Sequence, residues 1–130
     1  MTMLRGIVVC SLLLLAAAPA AAHHGVSSYD MDTIRTIEGR VASWHWRSPH
    51  TGITLAVRGA EGEETWEIEG APLRWMQNQG FDADTLQEGE AVTITYHPSR
   101  RSLRAGILMH VDMEDGRRLS VNRPTWLGGP

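Results

Sequence analysis

Five short stretches in which apolar and polar residues alternate, broken once by a segment of a different period, limit this chain to a small class of β folds. Ile53, Leu55 and Val57 alternate with polar neighbours between 53 and 58. Trp66 and Ile68 do so between 65 and 69, and Val92, Ile94 and Tyr96 do so before Pro98. Thr36 to Trp46 is rich in β-branched and aromatic residues, and Ile107, Met109, Val111 and Met113 repeat the period-two pattern up to the Asp115-Gly116 turn signal. The exception lies between 72 and 80. Pro72 suits a first helical position, Leu73 and Met76 are three apart, and Gly80 fits a helix end, so one helix of about two turns is expected there. Leu119 and Val121 extend the last strand or add another.

Three strands, a helix and two further strands is the element order of an OB-type barrel, whose closure protects edges that an open sheet would expose. The expected fold is therefore mainly β: a small five- to six-stranded OB-like antiparallel barrel with one short helix between strands three and four. An α+β roll, with the helix on an open antiparallel sheet, needs the same inward faces and is the alternative.

The N-terminal end carries an address. Arg5, an apolar run from Ile7 to Ala18 and the small residues Ala20 and Ala22 form the layout of a secretory signal peptide, and the run is shorter than the roughly 20 residues of a membrane span. Cleavage after Ala22 is expected, which divides the chain into a signal (1–22), an arm (23–34), a β domain (35–121) and a loose tail (122–130) that holds Trp126. The product would be periplasmic, monomeric and without a membrane span. Its only Cys, Cys10, leaves with the signal, so packing rather than a disulfide must hold it together. The net charge of −3 becomes one unit more acidic when Arg5 is lost, and this balance speaks against nucleic acid as a partner.

Cleavage after Ala22 makes His23 the first residue of the mature chain. A terminal His offers a metal an amine and an imidazole together, and His24 or His50 is available as a third nitrogen ligand. Nitrogen donors without Cys or converging carboxylates favour copper over a thiolate zinc site or calcium. For His50 the structural alternative is a bond to backbone groups of the turn at Pro49. His45, His97 and His110 fall on faces opposite the apolar sets, and solvated surface is expected for all three.

Glu67 and Glu69 point to one side of a strand about 7 Å apart, and an outward pair of this kind is expected to be solvated rather than catalytic. No nucleophile motif accompanies Ser27 and Ser28, so no catalytic residue is assigned. The second function class is a non-enzymatic binding or assembly module for a small ligand or an envelope partner. Trp44 and Trp46, the Glu67 and Glu69 side chains and the loop with Arg100 and Arg101 would form its ligand face, unless the indoles simply fill the core.

The landmarks His23-His24-Gly25, Tyr29-Asp30, Gly39-x-Val41, Trp44-x-Trp46, Pro49-His50, Trp66-x-Ile68-Glu69, Pro72, Gly80-Phe81, Leu86, Gly89-Glu90 and Pro98 together resemble domain of unknown function 6152. The resemblance runs to about Leu119 and implies a small exported bacterial protein in which His24, His50 and Glu69 matter. It implies no particular activity. The chain departs from the pattern at Ser48, where Asn is usual, and at Arg101-Ser102, where a Gly is usual.

Overall fold

A computed structural model describes residues 25–123. The expected signal, His23 and His24, and the tail from 124 with Trp126 lie outside the described residues. Six strands and one helix follow in order: β1 (Arg35–His45), β2 (Gly52–Gly59), β3 (Gly62–Glu69), α1 (Leu73–Asn78), β4 (Ala91–Pro98), β5 (Ala105–Met113) and β6 (Arg118–Ser120). The helix sits between β3 and β4, as its change of period requires.

β1 is long because it serves two neighbours. Arg35 to Arg40 pair with β4 and Arg40 to His45 pair with β2, both antiparallel. Gly39 lies where the strand passes from one partner to the other. A Cβ there would stand 2.9 Å from the Ala56 carbonyl oxygen, so only glycine allows that approach. β2 and β3 form a hairpin around Ala60-Glu61, and β4, β5 and β6 continue as a meander.

Closure comes from β3 and β5. Glu67, Ile68 and Glu69 pair with Ala105, Gly106 and Ile107, which completes a ring of hydrogen bonds through five strands in an OB-like order. This closing pair is parallel, while the other strand pairs are antiparallel, as expected of an OB-like antiparallel barrel. β3 and β5 are separated by α1 and β4, so no hairpin constrains their relative direction.

The core fills the ring with Val41, Leu55, Ile68, Ile94, Leu108 and Val111, and Met76 and Phe81 extend it to the helix. α1 ends in a Schellman motif. The Phe81 N–H reaches the Met76 carbonyl, the Gly80 N–H reaches that of Gln77, and Gly80 has φ +90°. The two apolar residues that flank this cap are therefore buried together, a contribution of about 1.5–3 kcal/mol for each side chain.

A register shift between β4 and β5 changes which side chains face inward. In β5 Tyr96 pairs with Leu108 and Thr95 with His110, leaving Met109 as the extra residue of a bulge. The uniform alternation expected from Ile107 through Met113 is thereby interrupted: Leu108 takes the core position and Met109 is only half-buried. Trp66, expected in the core, is half-buried with its ring 5.9 Å from that of Tyr96.

Candidate functional site

The arm docks across the outer face of the seam formed by β3, β5 and β4. Val26–Ser28 form one 3-10 turn, Tyr29 bridges to Ser99, the Asp30 N–H reaches the Pro98 carbonyl and the Arg100 N–H reaches that of Ser28. Arg100 completes the clamp with its side chain, donating to the Tyr29 carbonyl and to Asp30. Asp30 is held below the usual carboxylate range by the Thr33 hydroxyl and, to a lesser degree, by Arg100.

This docking brings Tyr29 to Glu69, forty positions away in sequence. The phenol donates to Glu69 Oε2 at 2.7 Å, and His50 Nδ1 lies 3.1 Å from Glu69 Oε1. His50 is placed by the loop that enters β2 and Glu69 by the last residue of β3. Glu69 is therefore half-buried and shared between two partners, not a solvated carboxylate beside Glu67. In place of the expected bond from His50 to its own turn, the ring makes this longer-range contact. The carboxylate lies against the Nδ1 side of the His50 ring, and Nε2 is the nitrogen away from it.

Arg123 supplies the local positive charge. Its guanidinium donates to the Leu108 carbonyl, and its Nη2 is buried without a hydrogen-bond partner among the described residues. Burial pulls its pKa down to about 10, against the pull of Glu69 and Tyr29, so it is still a cation at neutral pH. The Tyr29 phenol is pushed well above its ordinary value, first by burial and then by the Glu69 carboxylate.

The remaining candidates separate from this cluster. On the outer face of β1, β2 and β3, Thr54 donates to Glu67 and accepts from His45 Nε2 at 2.9 Å. Trp44 and Trp46 pack at a ring separation of 5.4 Å, Trp44 lies 6.3 Å from Phe81, and its N–H reaches the Asp82 carbonyl. Arg101 is exposed.

His97 corrects the expectation of a solvated side chain, since only 4% of it is exposed and Nδ1 lies 2.9 Å from the Thr33 carbonyl. The arm covers the face on which strand alternation placed it. His45 and His110 are half-buried. Tyr29 and Arg123 were not singled out as site residues; the Tyr29-Asp30 pair was the one available signal. Among the described residues, no three His, Cys, Asp or Glu side chains form a group able to hold a metal ion. No helix among them is long and apolar enough to cross a membrane.

The family model described as "Family of unknown function (DUF6152)" matches residues 11–119. The comparison with curated proteins gives no match. Among solved structures, the mitochondrial single-stranded DNA binding protein Rim1 from S. cerevisiae is similar at 10% identity and a TM-score of 0.48, over 63% of this chain and 93% of that one.

Proposed function

The chain belongs to the family of unknown function DUF6152, and we propose that it is an exported copper(II)-binding domain whose mature N-terminus and His50 share one ion. The observation that carries this reading is the His50–Glu69 pair. A ligating imidazole characteristically gives its second ring nitrogen to a carboxylate, which fixes the ring and raises its basicity. Here Nδ1 lies 3.1 Å from the Glu69 carboxylate, which leaves Nε2 for the metal.

The arm supplies the other ligands. Tyr29 and His50 meet on the two oxygens of one carboxylate, so the segment that leads back to His23 starts beside the imidazole. Six steps of chain lead from Tyr29 to His23; with Val26–Ser28 wound into the 3-10 turn at about 2 Å per residue and the rest extended at about 3.3 Å, their reach is roughly 15 Å. The His23 amine and imidazole are the first two ligands, and His50 competes with His24 for the third position. Such nitrogen donors select copper(II) over other common divalent ions.

The test is a copper(II) titration of the exported protein, after mass spectrometry has established His23 as its first residue. Electron paramagnetic resonance then reports the nitrogen ligands in wild type, in His50→Ala and in a variant with one Ala before His23. Micromolar or tighter binding lost in both variants supports the site. Binding unchanged by the added Ala removes the terminal amine, and binding unchanged in His50→Ala confines the ion to the terminus.

A further inference from the structure

A second group of metal-competent side chains lies beyond the Glu69 cluster, where the arm and the C-terminal segment cross the outer face of β4 and β5. A cavity of about 330 Å³ there is lined by Met31, His97, Met109 and His110, with Arg123 among the remaining wall residues. We propose that this cavity is a soft-metal site that binds copper(I) through the Met31 and Met109 thioethers together with His97, with His110 as a further imidazole donor.

Each donor is there for a local reason. Met109 is the extra residue of the β5 bulge, which takes its thioether out of the core position that strict alternation would give it. Met31 and Thr33 belong to the same arm segment, so one stretch of chain supplies a sulfur and the carbonyl on which His97 is oriented. A carbonyl only accepts, so His97 Nδ1 carries the hydrogen and Nε2 keeps its lone pair. His110, next to Met109 in β5, is half-buried and lines the same cavity.

The chemistry selects the ion. Thioethers are soft donors that favour copper(I), and imidazole accompanies them well. The one Cys of the sequence is Cys10, inside the expected signal, so methionine is the soft ligand left to the mature chain. Arg123, a cation in the same wall, repels a divalent ion twice as strongly as a monovalent one.

This site does not depend on the terminal copper(II) reading, and the two separate experimentally. Copper(I) is titrated anaerobically into the exported protein against a chromophoric copper(I) chelator, and silver(I) is added as a redox-inert probe to protein carrying 13C-labelled methionine methyls. One ion per chain is expected, with the methyl signals of Met31 and Met109 moving and those of Met76 and Met113 stationary. Met31→Leu with Met109→Leu, a swap of similar volume, is expected to lower copper(I) affinity at least tenfold, whereas an Ala before His23 leaves it unchanged. Unmoved Met31 and Met109 methyls in the wild-type protein overturn the proposal whether or not the double variant folds. Unaltered affinity in a folded double variant, or copper(I) binding lost on adding the Ala, also overturns it.

Discussion

At the scale of single residues, Glu69 decides how the outer seam behaves, because one carboxylate positions both the arm and the imidazole. Glu69→Gln keeps the shape but removes the carboxylate charge that faces His50. Copper(II) affinity measured by calorimetry is expected to fall about 10–100-fold. The two tyrosines of the chain give a pH signature of their own. Tyr29 is raised by burial and by Glu69, and Tyr96 is raised by burial against Arg35, both from an ordinary value of 10.0. Because each folded value lies above the unfolded one, the associated stability is complete below pH 10 and is lost as pH rises beyond it. Tyrosinate absorbance is therefore expected to appear in one cooperative step with alkaline unfolding; a gradual rise centred near pH 10 in folded protein would contradict the burial. His50 and Glu69 were visible in sequence as candidates, but their pairing through Tyr29 was not, since it depends on where an irregular arm docks. The same arm explains His97: alternation gives the face of a side chain and is silent on what covers that face.

At the scale of elements, the helix was readable because its boundaries are set by local chemistry. Pro72 fixes φ at the start and Gly80 supplies positive φ at the end, whatever the rest of the chain does. Gly80→Ala is expected to cost about 1–2 kcal/mol in denaturant unfolding, because an L side chain is strained at that backbone angle. The β5 bulge is the counter-example. Nothing local in Ile107 to Met113 announces the extra residue; Leu108 moves inward because β5 must match both β4 and the closing strand β3. Sequence alternation thus located the strand and misassigned part of its face.

At the scale of the whole molecule, five strands in a ring were expected from element order, but the direction of the closing pair was not, because strands distant in sequence carry no turn to define it. Gly106 makes that closure possible. A Cβ at this position would overlap the Tyr96 ring and lie 2.7 Å from the His97 carbonyl oxygen. Gly106→Val is expected to abolish cooperative thermal unfolding, and a melt like that of wild type would contradict the assigned seam. The proposed copper(II) site also belongs to this scale, since it joins the first residue of the mature chain to the folded ring. An ion held by the terminus alone binds folded and unfolded chains alike, whereas one held also by His50 favours the fold. For a folded chain that binds one hundred times more tightly than the unfolded terminus, saturating copper(II) stabilises by about 2.7 kcal/mol, which for a domain of this size raises the melting temperature by about 10 °C. The direct measurement is the melting temperature of the exported protein with and without copper(II), under conditions where binding is saturated. A rise of about 10 °C that disappears in His50→Ala is the result predicted; saturated binding with an unchanged melting temperature would contradict a site shared with the folded domain.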